Sequence, residues 1–256
     1  MKKAIAVVSF GTSYRETRIK TIQACEERIQ AQFPQEMVYS AYTSGMVRKK
    51  IERLEGIRIP SVAELLLELL ETGIQEVFIQ PLHIIPGSEY HKILTDSQPY
   101  IEQFKKLVVG DPLLVREEDF RHVAEELIAA YHTDSCEEVT LFMGHGSSHS
   151  SFTSYAAMDH FFQGSSLTLA CVESYPDFEQ IIANWKREGV VHRVRLVPFM
   201  LVAGDHAQND LAGEEDSWAS RLREEGFEVE IDLTGLGERP WIQNLFVEHI
   251  QRRRKG

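Results

Sequence analysis

The sequence predicts an α/β protein with two similar Rossmann-like domains, each built on a parallel sheet, that face a cleft between them. Strand-like apolar runs alternate with helical patterns along the chain, which is typical of parallel strands joined by helical crossovers. The order of these elements begins again near residue 138, so the second half resembles the first. A chain of 256 residues is long enough for two such domains.

The first half contains three strand-like runs and three helical patterns. In chain order they are the strand AIAVVSF at 4–10, a polar helix from about Arg15 to Gln32, the strand VYSAYT at 38–43, a helix through Arg53, the helix VAELLLELLETG at 62–73 and the strand EVFIQPLHII at 76–85. Parallel strands bring their carboxyl ends to one edge of a sheet, where ligands bind in open α/β folds. We therefore expect functional residues directly after these strands.

Three segments of the second half repeat segments of the first. The pairs are VTLFMGHGSSH at 139–149 with AVVSFGTSY at 6–14, LACVESYP at 169–176 with SAYTSG at 40–45, and VRLVPFMLVAGDH at 194–206 with VFIQPLHIIPGSE at 77–89. Pro81 and Pro198 are 117 residues apart, as are Glu89 and His206. The constant spacing indicates that one structural unit occurs twice.

The repeat predicts an N-terminal domain over 1–130 and a C-terminal domain over 131–256 that ends in a helix from about Pro240. The cluster RRRK at 252–255 ends this helical pattern. Cations at a helix carboxyl end face the negative end of its dipole, so we interpret the cluster as a solvated helix end.

Composition excludes several classes of function. A net charge of −12 argues against a nucleic-acid partner, since binding to phosphates needs a basic face. Cys25, Cys136 and Cys171 lack a CxxC pair, so we predict neither disulfides nor a thiolate metal site and interpret them as small buried hydrophobes.

The short apolar run after Met1 is better explained as a first strand than as a signal peptide. No stretch approaches the roughly 20 apolar residues of a membrane span, so we expect a cytoplasmic protein without a membrane partner.

In the second half, each of three successive strands is followed by a residue that binds metals, namely His145, Glu173 and His206. Two imidazoles and a carboxylate suit Co²⁺, Ni²⁺, Fe²⁺ or Zn²⁺, whereas Ca²⁺ and Mg²⁺ prefer oxygen ligands alone. Three ligands leave coordination positions open for a reacting partner. The recurrence at three strand ends favours a shared metal site.

Each of these residues also has a structural explanation. GHGSS, which contains His145, could be a phosphate-binding turn, although neither a GxGxxG nor a GxxxxGK[ST] pattern is present. Glu173 could cap the helix that begins near Pro176, and His206 could be a polar loop residue. A hydrolase with Ser147 as nucleophile is disfavoured, because GHGSS is not a GxSxG elbow.

Several motifs together resemble the anaerobic sirohydrochlorin cobaltochelatases of the CbiK type, relatives of the ferrochelatases. They are VVSFGTSY at 7–14, AYTSGMVRKKI at 41–51, IQPLHIIPGSEY at 79–90, FMGHGSSH at 142–149, VESYPD at 172–177, PFMLVAGDHAQND at 198–210 and TGLGE at 234–238. The resemblance covers almost the whole chain, and the motifs occur in the family's order. It implies a class II chelatase with two α/β domains that inserts a divalent metal into a tetrapyrrole without ATP.

The resemblance assigns the metal ligands to His145, Glu173 and His206, and the catalytic residues to His145, His206 and Glu89. A histidine beside the macrocycle can accept a pyrrole proton while other ligands retain the ion. Asp205 or Asp210 would then orient His206. We expect the remaining strand-end residues to bind the substrate, and these are Phe10, Gly11, Thr12, Ser13, Ser44, His83 and Ser147.

The sequence thus predicts a Co²⁺ chelatase that acts on sirohydrochlorin in anaerobic cobalamin biosynthesis, with Fe²⁺, Ni²⁺ or Zn²⁺ able to bind the same site. Two alternatives remain open, an iron chelatase that makes sirohaem or haem and a metal or tetrapyrrole carrier without activity. Some basic residues near the strand ends should contact substrate carboxylates, and the candidates are Arg15, Arg18, Arg48, Lys49 and Lys92. The oligomeric state is left open, a homo-oligomer included.

Overall fold

The computed structural model describes residues 2–255 and divides the chain into two compact units. Unit 1 contains the described residues up to Val115 together with those from Gly237 onward, and unit 2 is Arg116–Leu236. Each unit contains a four-stranded sheet in which all strands are parallel. The predicted class of two similar α/β domains is confirmed.

The two sheets have the same strand order. Unit 1 has the order β2-β1-β3-β4 and unit 2 the order β6-β5-β7-β8. The strands are β1 (Lys3–Ser9), β2 (Met37–Tyr42), β3 (Glu76–Pro81), β4 (Lys106–Val109), β5 (Glu138–Gly144), β6 (Leu167–Cys171), β7 (Arg193–Pro198) and β8 (Glu228–Ile231). The central strands β1, β3, β5 and β7 are each mostly buried, as expected where helices cover a parallel sheet. In unit 2 the edge strand β6 is mostly buried as well.

Ten α-helices occur among the described residues. They are α1 (Arg15–Arg18), α2 (Ala24–Gln32), α3 (Gly45–Glu55), α4 (Val62–Glu71), α5 (Ser88–Ser97), α6 (Glu117–Tyr131), α7 (Thr153–Phe161), α8 (Phe178–Glu188), α9 (Trp218–Glu224) and α10 (Pro240–Lys255). Two π-helical turns, Ile19–Gln23 and Ala207–Leu211, accompany them. None of the helices within residues 2–255 combines the length and apolar character that crossing a membrane requires.

The division of the chain differs from the boundary expected at residue 130. Helix α6 belongs to unit 2, where Tyr131 packs edge-on against Phe142 and its hydroxyl donates to the carboxylate of Asp232 at 2.6 Å. Helix α10 belongs to unit 1, because it packs on α2 and β3. The side chains of Arg28 and Asn244 are hydrogen-bonded at 2.5 Å. Contacts between residues that are far apart in the sequence therefore decide to which unit α6 and α10 belong.

An apolar cluster packs on the sheet of each unit. In unit 1, Leu65, Leu66 and Leu69 of α4 pack on the small and β-branched residues of β1 and β3. In unit 2, α8 and α9 cover β5 and β7, and Phe178 stacks on Trp218 with ring centroids 4.0 Å apart. The predicted leucine helix therefore supplies the core of unit 1, as its spacing indicated.

Strands β3 and β7 are shorter than the apolar runs that predicted them. Both end at a proline, Pro81 and Pro198, and the apolar residues that follow form loops. Each proline lacks an N–H for the ladder, and the chain leaves the sheet after one more bond to the neighbouring strand. These bonds run from the amide of Leu82 to the carbonyl of Val8 at 2.7 Å and from the amide of Phe199 to the carbonyl of Met143 at 2.8 Å. One cysteine prediction is also wrong, since Cys25 and Cys171 are buried but Cys136 is exposed in the segment before β5.

Unpaired polar atoms collect at the carboxyl end of the unit 1 sheet. The hydroxyls of Ser9 and Thr43 and Oε1 of Gln80 are buried there without a hydrogen-bond partner among the described residues. His83, two residues after β3, is half-buried as a whole, but both of its ring nitrogens are buried and also lack a partner in residues 2–255. Burial disfavours the imidazolium and lowers the pKa of His83 from 6.5 to about 4.

This low pKa predicts an acid-dependent loss of stability that His83→Gln should reduce. The unfolded chain takes up a proton at His83 below pH 6.5, whereas the folded chain does so only near pH 4. The contribution of neutral His83 to the free energy of unfolding is therefore complete above pH 6.5 and is lost as the pH drops towards 4. Between pH 7 and 5 the wild type should lose about 2 kcal/mol more unfolding free energy than His83→Gln, as urea unfolding would measure. His160→Gln, at an exposed histidine, is the matched control. Parallel pH profiles for wild type and His83→Gln would contradict the prediction.

Candidate metal centre

The GHG and VES segments of unit 2 are held together by backbone hydrogen bonds that extend the sheet. The amide of Val172 donates to the carbonyl of Gly144 at 3.0 Å, and the amide of Glu173 donates to the carbonyl of His145 at 3.1 Å. The ladder between β5 and β6 thus continues two residues beyond the strands. His145 and Glu173 are neighbours for this reason, although they are far apart in sequence.

Gly146 allows the two segments to lie this close. Its φ of +87° is in the region that favours glycine. A Cβ added there would lie 2.7 Å from Oγ and 2.9 Å from the amide nitrogen of Ser174. The hydroxyl of Ser174 also accepts a hydrogen bond from the amide of Ser147 at 3.0 Å. The second glycine of GHG therefore has a structural role that fixes the turn carrying His145.

His206 is delivered by a helical turn after β7. The turn begins near Gly204 and continues as the π-helical segment Ala207–Leu211, whose two end residues are fully buried. Gly213 closes the turn, because a Cβ at this position would lie 2.4 Å from the carbonyl oxygen of Asn209. Single π-helical turns are often found at functional sites. The buried ends hold the turn while His206 stays partly exposed.

The other two predicted metal ligands, Glu173 and His206, both lie next to His145. Its Nδ1 lies 3.8 Å from Oε2 of Glu173, and its ring meets that of His206 edge-on with centroids 4.5 Å apart. The side chains of His145, Glu173 and His206 are 42%, 58% and 43% exposed, so solvent and ligands reach all three. Within residues 2–255, no three His, Cys, Asp or Glu side chains are already arranged as a metal cage. The structure thus brings the ligand types together without closing a coordination sphere.

Asp210 holds His206 from within the same turn. Nδ1 of His206 lies 2.5 Å from Oδ2 of Asp210, four residues later and on the same face of the turn. A carboxylate oxygen accepts here, so the imidazole donates from Nδ1 and its lone pair is on Nε2. Nδ1 of His145 lies 3.3 Å from the carbonyl of Gly146, which selects the same tautomer. Both rings therefore carry their lone pair on Nε2.

The same strand ends in unit 1 carry other residue types. The amides of Thr43 and Ser44 donate to the carbonyls of Ser9 and Phe10 at 2.9 and 3.3 Å, which repeats the pattern of unit 2. Phe10 thus stands where His145 does, and Ser44 where Glu173 does. By the sequence repeat, Glu89 stands where His206 does. Unit 1 therefore offers an aromatic ring, a hydroxyl and one carboxylate instead of a metal-ligand set.

Glu89 lies in the first turn of α5, and its Oε2 is buried without a hydrogen-bond partner in the described part of the chain. His83 lies in the loop that leads to α5, and its carbonyl accepts a hydrogen bond from the amide of Leu113 at 2.8 Å. Both belong to unit 1, whereas the metal-ligand candidates belong to unit 2. The buried Oε2 of Glu89 could accept a hydrogen bond or a proton, whereas burial lowers the pKa of His83 and makes its imidazole a weak proton acceptor.

The predicted substrate-binding loop after β1 has an exposed ring and a tightly packed turn. The side chain of Phe10 is 46% exposed, whereas Thr12 is buried and its hydroxyl accepts from the amide of Tyr14 at 3.2 Å. Gly11 has a φ of +95°, and an added Cβ would lie 2.3 Å from the ring of Tyr42. Ser13 is partly exposed. Phe10 and Ser13 are therefore the accessible members of this loop.

Two other predicted substrate-binding hydroxyls have structural hydrogen bonds. Ser44 caps α3 by accepting from the amide of Val47 at 3.3 Å and is buried. The hydroxyl of Ser147 accepts from the amide of His149 at 3.1 Å and stays partly exposed. Ser147 therefore remains accessible to a ligand, whereas Ser44 mainly fixes the start of a helix.

Three of the basic residues expected to contact substrate carboxylates have partners in the protein. Buried Arg18 pairs with Glu55 at 2.5 Å and donates to the carbonyl of Thr12 at 3.4 Å. Arg48 pairs with Glu64, whose pKa falls to about 2 because the amide and hydroxyl of Ser61, and then Arg48, donate to it. The ammonium of Lys92 donates to the carbonyl of Thr43 at 2.5 Å. Arg18 and Arg48 thus stabilise unit 1, and sequence alone could not reveal their distant partners.

Ser174 and Gly213 are site residues that the sequence did not indicate. Ser174 supports the turn of His145, and Gly213 supports the turn of His206. Each acts through a close backbone contact that exists only in the folded chain. For Asp210, in contrast, the spacing of four residues from His206 in a helical pattern was a usable signal.

Comparisons with known proteins agree over nearly the whole chain. Residues 3–254 match the family described as cobalt chelatase (CbiK). The sirohydrochlorin cobaltochelatase of Salmonella typhimurium is 42% identical over 253 residues, which cover 98% of this chain and 96% of that protein. The sirohydrochlorin cobaltochelatase CbiKC of Nitratidesulfovibrio vulgaris is 30% identical over 264 residues, with coverages of 97% and 89%.

A solved structure shows the same fold at low identity. SirB from Bacillus subtilis with Fe³⁺ superposes with a TM-score of 0.66 and 13% identity, covering 98% of this chain and 95% of SirB. At that identity the likeness concerns the fold alone. The family match and the two sequence relatives span both units and all the site motifs, and this chain therefore belongs to the CbiK cobalt chelatase family.

Proposed function

We propose that this protein is a sirohydrochlorin cobaltochelatase, which inserts Co²⁺ into the tetrapyrrole without ATP during anaerobic cobalamin biosynthesis. The observation that carries the proposal is the pair of strand-end imidazoles, His145 and His206, whose rings are in contact and whose Nδ1 atoms both face acceptors. Glu173 adds a carboxylate to the pair. In a member of the cobalt chelatase family, this set supplies an open site for the metal substrate.

The proposed chemistry requires a site that holds the ion and then releases it. Insertion exchanges Co²⁺ for the two inner N–H protons of the macrocycle, so charge balances and neither a redox step nor ATP is needed. His145, Glu173 and His206 would bind the ion through Nε2 and carboxylate oxygens, with open positions for the ring nitrogens. Their exposure of 42–58% suits exchangeable binding.

The protons released by the macrocycle need acceptors. A histidine that leaves the metal as the ring nitrogens bind it can accept one of them, which assigns His145 or His206 to this step. Glu89 is the third catalytic candidate, because its Oε2 is buried and has no hydrogen-bond partner among the described residues. Phe10, Ser13 and Ser147 are the accessible candidates for contact with the substrate.

Cobalt is the metal that the family favours. The two imidazoles and the carboxylate would also accept Fe²⁺, Ni²⁺ or Zn²⁺, because these borderline ions share the same ligand types. The direct test is anaerobic insertion into sirohydrochlorin without ATP, followed by absorbance with Co²⁺ and Fe²⁺ in parallel. Single turnover faster than the spontaneous reaction excludes a carrier without activity, and failure with every metal would overturn the proposal.

Removing either imidazole should abolish insertion while the fold remains intact. His145→Ala and His206→Ala should each weaken Co²⁺ binding by about a hundredfold or more, because each removes a direct ligand from an exposed loop. Calorimetric Co²⁺ titration and the insertion rate measure the two effects. The double variant should add little to either single one, since groups that act as a unit are not additive. His160→Ala, an exposed histidine of the same unit, is the matched control. Near wild-type insertion by His206→Ala at limiting Co²⁺ would show that the assignment is wrong.

Asp210→Asn should weaken Co²⁺ binding by about tenfold to a hundredfold, because the amide no longer fixes the tautomer of His206. The loss should be smaller than in His206→Ala, since the imidazole itself remains. Calorimetric Co²⁺ titration measures both variants side by side. Asp134→Asn removes an exposed carboxylate of the same unit and controls for the change in net charge. Equal Co²⁺ affinity in wild type and Asp210→Asn would contradict an orienting role.

A further inference from the structure

A cavity of about 200 Å³ lies at the amino end of the unit 1 sheet, away from the strand ends that carry Phe10, Ser44 and Glu89. It is lined by the first residues of β1, β3 and β4 and by the last turn of α10. The basic cluster RRRK at 252–255 contributes two of its four members to the lining, Arg253 and Arg254. Neither the predicted metal centre nor the predicted substrate loops include these residues.

Cations outnumber carboxylates in this cavity. Its lining contains Lys3, Lys106, Arg253 and Arg254 against Glu36 and Glu76. Both carboxylates are already bound. Each oxygen of Glu36 accepts from a different nitrogen of Arg254, at 2.6 and 2.8 Å, and Glu76 pairs with Lys3 at 2.8 Å. Within residues 2–255, neither Lys106 nor Arg253 forms a salt bridge, although Lys106 also acts electrostatically on Glu76, so the cavity keeps an excess of positive charge in a protein of net charge −12.

These charges are carried by well-fixed elements. The guanidinium of Arg254 lies 4.9 Å from the ring centroid of Phe33 and 5.2 Å from that of Phe78, in addition to its paired contact with Glu36. This anchors the helix turn that carries Arg253. Lys106 is placed by the register of β4, in which it stands opposite Glu76. The two remaining cations thus approach one cavity from a helix end and from a strand.

We propose that this cavity binds a small anion that carries a phosphate group. A phosphate dianion matches the two cations that remain, and a guanidinium can donate two parallel hydrogen bonds to it. Val77, Phe78 and Val108 form an apolar part of the lining, which suits a small organic group attached to the phosphate. Free orthophosphate and a phosphorylated metabolite share the chemistry that this cavity recognises.

A solvated helix end would not explain this arrangement. Arg253 and Arg254 are exposed, but cations that only complement a helix dipole need no partners from a sheet. Here Lys3 and Lys106 come from two strands, and the helix end is tied to Glu36 in the segment before β2. The convergence on one cavity of charges that are far apart in sequence supports the proposal.

Calorimetric titration of the full chain with orthophosphate and with glycerol 3-phosphate, at constant ionic strength, tests the proposal. The wild type should bind at least one of them saturably. Lys106→Ala combined with Arg253→Ala should weaken binding by about tenfold or more, since each variant removes a charge-assisted hydrogen bond. Lys20→Ala combined with Lys255→Ala removes the same charge from exposed residues of unit 1 outside the lining. This control should keep its affinity within about twofold.

The two anions distinguish the source of the phosphate. Equal affinity indicates a site for free phosphate, and tighter binding of glycerol 3-phosphate indicates an organic phosphate. Absence of saturable binding of both anions to the wild type would overturn the proposal. An equal loss in the two double variants would also overturn it, because it would show that net charge alone is responsible. Urea unfolding of each variant verifies that the fold is retained.

Discussion

The candidate metal centre depends on the hydrogen bond from the amide of Glu173 to the carbonyl of His145, at 3.1 Å. This bond extends the ladder between two parallel strands past their ends and places two potential ligands side by side. Gly146 makes it compatible with the fold, because a side chain at that position would strike Ser174. The chemistry of the site therefore depends on backbone pairing at least as much as on the ligands.

The third ligand candidate is held in a different way. His206 lies on a short helical turn with a π-helical segment, and Asp210 on the same turn accepts the hydrogen of its Nδ1. The turn is anchored by fully buried Ala207 and Leu211 and is closed by Gly213. Local structure thus sets the tautomer of one histidine, while the strand ladder sets the position of the other.

Charge is distributed unevenly in this acidic chain. Arg18 and Arg48, near the carboxyl end of the unit 1 sheet, are paired with Glu55 and Glu64. At the amino end of the same sheet, Lys106 and Arg253 line a cavity without salt bridges to described residues. Net charge therefore says little about where an anion binds. What matters is whether a basic residue already forms an ion pair, since an ion pair cancels most of the electric field that an anionic ligand would experience.

The sequence by itself determined the α/β class, the repeat, the ligand types after each strand and the helix from Pro240, because periodicity, spacing and residue chemistry are local properties. The repeat even extends to backbone hydrogen bonds, with Phe10 and Ser44 at the positions of His145 and Glu173. Only the tertiary structure decided that α10 belongs to unit 1, that Asp210 orients His206 and that Arg253 faces a cavity. Apart from the short-range pair of Asp210 and His206, these outcomes depend on contacts between segments far apart in the chain, and no local pattern encodes which distant partner a side chain will meet.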